Sequence, residues 1–130
     1  MTIETLEQLA FLADLSLDDK IEKSIQTLRT YAGMAKENHP EGYYLAFSGG
    51  KDSVVIKHLA ETAGVPFQAY YSQTTIDPPE LVQFIRKHHS ETIWNKPQAP
   101  FVHMVALKGL PSRVRRWCCD LYKENGGAGG

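Results

Sequence analysis

Cysteine is scarce in these 130 residues: there are two, Cys118 and Cys119, and they are neighbours. Adjacent Cα atoms lie about 3.8 Å apart across a trans peptide, short of the ~4.4 Å at which ordinary disulfides begin. A disulfide framework is therefore excluded, and a reducing cytoplasm is the expected setting. No apolar run approaches the ~20 residues that span a bilayer, so no membrane segment is expected. The opening stretch MTIETLEQLAFLADL has two glutamates and no base before Lys20, which is not the pattern of a secretory signal. Net charge is nearly absent as well. Fourteen basic against fifteen acidic residues leave −1, so no global field recruits nucleic acid or a membrane surface. Anion binding must then come from local clusters. There are no internal repeats.

What is present is ordinary for a globular chain: 42% hydrophobic and 22% charged residues. This length makes one domain, or a fragment of one, burying roughly two-thirds of its unfolded surface. Residues 1–40 read as a helical segment. Leu6, Leu9, Ala10 and Ala13 keep a 3-4 spacing, as do Ile21, Ile25, Leu28, Ala32 and Ala35. Ser16 with Asp19 three residues on predicts a capping box, and Pro40 and Gly42 predict a stop near Asn38.

Residues 41–125 alternate strand and helix. Tyr43–Phe47 predicts a buried strand, Lys51–Ala63 a helix ended by Gly64, and Pro66–Tyr71 a second strand. Pro78-Pro79-Glu80 opens a helix through about His89, and Thr92–Asn95 predicts a short third strand. This alternation argues for an α/β fold with a parallel sheet and right-handed crossovers. Phe101–Lys108 predicts a helix, broken by Gly109-Leu110-Pro111, with Ser112 capping another that runs to about Lys123. Residues 126–130 form a flexible glycine-rich tail.

The chemistry concentrates in Ser48-Gly49-Gly50-Lys51-Asp52-Ser53, between the first strand and its helix. Backbone N–H groups bind phosphate only where side chains leave them accessible, which the two glycines provide. The following helix adds unpaired N–H groups and a dipole worth ~0.3–1 kcal/mol. Lys51 and the Ser48 and Ser53 hydroxyls must supply much of the rest. The loop is not a Walker A motif: the first glycine is missing and Asp52 stands where Ser or Thr holds magnesium. No G-x-G-x-x-G exists either. A plain strand-to-helix turn with an exposed lysine fits a bare GGK better than this six-residue run.

The SGGKDS run resembles the PP-loop of the adenine nucleotide alpha-hydrolase-like superfamily. That resemblance implies a doubly wound, Rossmann-like parallel sheet with nucleotide across its C-terminal strand ends. Asp77-Pro78-Pro79-Glu80 resembles the aspartate and Pro-Glu pair of phosphoadenosine phosphosulfate (PAPS) reductases. Arg116-Trp117-Cys118-Cys119-Asp120-Leu121-Tyr122-Lys123 resembles the R-W-C-C-x-x-x-K segment of PAPS reductase-like proteins of phages and bacteria. The similarity runs from about Ser16 to Glu124. It implies an adenine nucleotide ligand (PAPS, adenylylsulfate or ATP), bound by the loop, Asp77, Arg113 and Arg116. It also implies thiol-dependent reduction to sulfite in the full-length family, with thioredoxin or glutaredoxin as reductant, in the cytoplasm.

Departures from the family pattern matter. In resembling sulfate-assimilation enzymes a tandem cysteine pair is completed by a later C-x-x-C around a [4Fe–4S] cluster. Here Cys118 and Cys119 would be half of such a site, and no later cysteine follows. For the chain alone, buried core thiols are the expected reading; for a longer parent, a cluster. No counterpart of the family's C-terminal nucleophilic cysteine is present, so no catalytic residue is assigned, and the fold is expected to be incomplete at the C-terminus. An ATP pyrophosphatase-type enzyme and a truncated nucleotide-binding module are the alternatives. A homo-oligomer is compatible with all three. His88 and His89 read as surface residues. Trp94, Trp117 and the Tyr43-Tyr44 and Tyr70-Tyr71 pairs read as core.

Overall fold

The computed structural model describes residues 2–124. The tail expected at 126–130 lies outside the described residues. Helix α1 (Ile3–Asp14) and helix α2 (Leu17–Asn38) meet at Leu15-Ser16. The capping box forms as expected: Ser16 Oγ accepts from the Asp19 N–H, and the Asp19 carboxylate accepts from the Ser16 N–H at 3.3 Å.

The sheet follows from two consecutive strand–helix–strand units with parallel strands. β1 (Tyr43–Ala46), α3 (Lys51–Ala63), β2 (Phe67–Ser72), α4 (Pro79–His88) and β3 (Ile93–Asn95) alternate as the sequence predicts. All pairing is parallel, in the order β1-β2-β3, with Leu45 opposite Ala69 and Tyr71 opposite Trp94. This is a Rossmann-like α/β fold preceded by helices. Gly64 ends α3 at φ 70°, a left-handed cap that favours glycine.

One face of the sheet carries the core. Leu45, Phe47, Ala69 and Tyr71 pack with Ala60 and Ala63 of α3 and Ile85 of α4, and Ile25, Leu28 and Ala32 of α2 close its side. Phe47 and Ile85 are the large side chains wholly removed from water, each worth about 1.5–3 kcal/mol of burial. α2 is also tied by hydrogen bonds: Arg29 Nε donates to the Ala63 carbonyl at 3.0 Å, and the Tyr43 hydroxyl to the Leu28 carbonyl at 2.7 Å. The opposite face carries Tyr44, stacked on Tyr70 at 4.5 Å, and Ile93; Tyr44 and Ile93 are exposed. The expectation that both tyrosine pairs are core is corrected accordingly: Tyr71 is buried, and Tyr44 faces water.

After β3 come α5 (Phe101–Lys108), the one-turn α6 (Trp117–Cys119) and a π-helical turn, Asp120–Glu124. The helix expected to start at Ser112 does not form there. Ser112 and Arg115 instead close a turn on each other, the Ser112 N–H donating to the Arg115 carbonyl at 3.0 Å and Ser112 Oγ accepting from the Arg115 N–H at 3.1 Å. Serine competes with helix in this way by offering the backbone local partners.

Candidate functional site

β1 leads directly into the Ser48–Ser53 loop, and its pairing with β2 continues one residue beyond the strand: the Phe47 N–H donates to the Tyr70 carbonyl at 2.8 Å. Gly49 then turns the chain at φ 78°, and Gly50 is the N-cap of α3. No side chain caps that helix. The loop is braced from within: Ser53 Oγ donates to the Gly50 carbonyl at 2.9 Å, and Ser48 Oγ lies 3.3 Å from Ser53 Oγ and 3.4 Å from the Gly50 nitrogen. Lys51 pairs with Asp52 at 2.9 Å, but the two side chains are 91% and 86% exposed. Such a surface pair is worth only ~0–1 kcal/mol.

α4 holds the loop from the side. A Cβ at Gly49 would lie 2.6 Å from Leu81 Cδ1 and 3.1 Å from Ile85 Cδ1, so only glycine admits this approach. Asp77 sits in the connection from β2 to α4 and accepts a hydrogen bond from the buried Tyr71 hydroxyl. Burial, and then that bond, push the Tyr71 phenol well above its usual range, so it stays a donor. Thr75 in the same connection has φ 71°, the one non-glycine in the left-handed region among the described residues. Its Oγ1 accepts from the Phe101 N–H at 2.8 Å, which anchors the start of α5 to this end of the sheet.

Phe101 carries the contact onward. It stacks on Trp117 at 5.6 Å and meets Tyr122, whose hydroxyl donates to the Ala99 carbonyl at 2.8 Å. The Arg116–Cys119 segment is thereby tied, through Trp117, Phe101 and Thr75, to the connection that follows β2. Arg113 and Arg116 are exposed; Cys118 and Cys119 are free and half-buried, not core. Arg116 Nη2 lies 3.7 Å from Cys119 Sγ. Cys118 and Cys119 supply two of the four thiolates that a [4Fe–4S] cluster takes, and no group of three or more His, Cys, Asp or Glu that could hold a metal ion occurs among the described residues.

The family model for the phosphoadenosine phosphosulfate reductase domain matches residues 42–126, more than half of the chain. The chain belongs to this family. The match starts where α2 hands over to β1 and takes in the Ser48–Ser53 loop, Asp77, Arg113, Arg116 and both cysteines. Membership carries with it a small-molecule nucleotide as substrate. No curated protein and no solved structure matches the chain. No helix among the described residues is long and apolar enough to cross a membrane.

One polar cluster of this family member escaped the sequence reading. Lys57, on the sheet-facing side of α3 with Ser53 and Ala60, has a side chain only 4% exposed. It forms an ion pair with Glu91, lies 3.8 Å from Glu61, and its Nζ is 2.6 Å from His89 Nδ1. Burial lowers the Lys57 pKa, with Glu61 acting against that. Burial also lowers that of His89, helped by the Lys57 and His88 charges. His89 is thus half-buried against Phe47 at 4.6 Å, correcting the surface expectation, while His88 is exposed. The missed signal was spacing: Lys57 recurs with Ser53 and Ala60 at 4 and 3 residues, on the buried stripe.

Proposed function

We propose that this chain binds an adenine nucleotide bearing an activated sulfate, PAPS or adenylylsulfate, with its phosphate or sulfate oxygens on the Ser48–Ser53 PP-loop. The observation that carries the reading is the free N-terminus of α3, which no side chain caps, set behind Gly49-Gly50 at a strand end. Backbone amides and the positive end of the helix dipole then face the anion. Lys51 completes the charge: its surface pair with Asp52 is weak enough for an anion to replace. Ser48 and Ser53 offer hydroxyl donors, Asp77 a fixed acceptor, and Arg113 and Arg116 bidentate contacts for the other anionic end.

In the full-length family the bound sulfonyl group is reduced by two electrons. Two thiols become a disulfide, the S–O bond to the nucleotide breaks, and sulfite and the nucleotide leave. Thioredoxin or glutaredoxin would supply those thiols, in a reducing cytoplasm. No nucleophile is assigned within this chain. Cys118 and Cys119 in a longer parent would be half of a cluster site.

Calorimetric titration with PAPS, adenylylsulfate and ATP tests the reading. The expected result is tighter binding of a sulfated nucleotide than of ATP, weakened at least tenfold by Lys51→Ala. Equal or absent binding of all three, with Lys51→Ala changing nothing, would overturn it. Pyrophosphate release from ATP with magnesium would mark an ATP pyrophosphatase-type enzyme instead.

A further inference from the structure

α3, α4 and the end of β1 meet at one hydrogen bond. Lys57 Nζ of α3 lies 2.6 Å from Nδ1 of His89, the C-cap of α4. Both lean on Phe47, the residue that leads from β1 into the Ser48–Ser53 loop: the His89 ring at 4.6 Å between centroids, Lys57 Nζ at 5.6 Å from the ring centre. The same elements shape the loop. Ser53, four residues before Lys57 on the buried stripe of α3, donates to the Gly50 carbonyl at 2.9 Å. The His89 N–H donates to the Ile85 carbonyl at 2.9 Å, and Ile85 with Leu81 packs where Gly49 has no room for a Cβ. A movement of His89 thus reaches Gly49 through one hydrogen bond and one packing contact.

The contact requires one protonation state. A Lys57 ammonium can only donate, so His89 Nδ1 must accept and the ring must be neutral. A protonated ring would turn a second donor and a second positive charge on the ammonium. The groups around it are Lys57 and Glu61 from α3, Glu91 from the turn after α4, the neighbouring His88, and the uncharged Phe47 ring. Glu91 is already paired with Lys57, and Glu61 is 53% exposed, so solvent screens its help. Burial, and then the Lys57 charge, disfavour the imidazolium in the fold. Lys57, with its side chain 4% exposed in the middle of α3, has little freedom to move. His89, half-buried at the end of α4, is the partner that yields.

We propose that the Lys57–His89 contact is a proton-controlled latch on the Ser48–Ser53 loop. With a neutral His89 ring it clamps α4 against α3 and seats Gly49. Protonation of the ring releases the end of α4, and Ile85 and Leu81 with it, so the loop amides lose their fixed arrangement. Proton and bound anion then oppose each other without sharing a site, and by linkage each weakens the other. The sign is diagnostic. A bare Coulombic effect runs the other way, because an anion at the start of α3 favours a positive imidazole. The consequence for anions rests on the PP-loop reading; the link from His89 to Gly49 does not.

Nuclear magnetic resonance of the full chain from about pH 7.5 to about pH 5 tests the latch. The Gly49 and Gly50 amide signals should shift along the protonation curve of the His89 ring. Lys57→Met removes the second cation and keeps the packing, so it should abolish most of that shift while His89 still titrates. His88→Asn should leave the shift in place. Binding of inorganic sulfate, whose charge is constant over this range, should weaken about fivefold or more on acidification of wild type and not of Lys57→Met. Glycine amides that ignore the His89 titration would overturn the latch, as would an equal shift in Lys57→Met or sulfate binding that strengthens in acid. Sulfate that binds at no pH, with the glycine amides still following His89, would support the latch and overturn the PP-loop reading instead.

Discussion

Gly49 touches Leu81 so closely that a Cβ on the glycine would stand 2.6 Å from the leucine Cδ1. The Ser48–Ser53 loop is therefore seated by α4 as well as by its own hydrogen bonds. Gly49→Ala should destabilise through two separable costs: about 1–2 kcal/mol for a side chain at φ 78°, and about 1–3 kcal/mol for overpacking. Leu81→Ala in the same chain should recover the second and leave the first. Denaturant unfolding of both variants measures this, and full recovery by Leu81→Ala would show that the backbone conformation costs nothing.

Lys57 and Glu91 offer an asymmetric pair. Lys57 is buried and Glu91 is about half exposed, so the two are not equally costly to orphan. Glu91→Ala leaves a buried ammonium with the His89 ring nitrogen and, as its remaining carboxylate, the more distant Glu61, and should cost about 1–3 kcal/mol. Lys57→Met removes the buried charge and leaves a carboxylate that water can solvate, so it should be near neutral or stabilising. Equal losses from both changes would mean that the pair contributes as a surface ion pair does.

Much of this architecture was legible in the chain itself, and the reasons are local. Ser16 and Asp19 write the start of α2, Gly64 writes the end of α3, and the alternation of strand and helix writes the parallel order. The SGGKDS run also announced its place at a strand end. What was not legible depends on partners distant in sequence. Lys57 became a buried residue because His89 and Glu91, more than thirty residues on, arrive beside it. Ser112 looked like a helix cap, but a turn with Arg115 claimed its backbone first. Tyr44 and Tyr71 are equally aromatic, and only the sheet's register decides which one faces the core.

Tyr71 should hold Asp77 in place. Tyr71→Phe removes the hydroxyl that donates to Asp77 and keeps the packing against Trp94, 4.7 Å away between ring centroids. A hydrogen bond to a charged group is worth about 1.5–3 kcal/mol, so a loss of that size in unfolding free energy is expected. In alkaline titration followed by phenolate absorbance, one of the six tyrosines should resist ionisation beyond the others, and Tyr71→Phe should abolish that late phase. A late phase that survives the substitution would assign the protected phenol to another tyrosine.

The pH dependence of stability should carry the signature of His89. Its pKa lies below the ordinary value of 6.5 in the fold, because burial and the Lys57 charge disfavour the imidazolium. The unfolded chain thus binds this proton more readily than the folded one. The resulting stability is fully present above about pH 6.5 and is lost as pH falls through the folded pKa. Protonation would also take away the lone pair that Lys57 Nζ faces at 2.6 Å. His89→Asn keeps an acceptor for Lys57 without the titration. The melting temperature of wild type should therefore fall more steeply than that of His89→Asn between about pH 6.5 and pH 5, with the two curves parallel above that window. Parallel curves throughout would show that acid sensitivity arises in the carboxylates and not at His89.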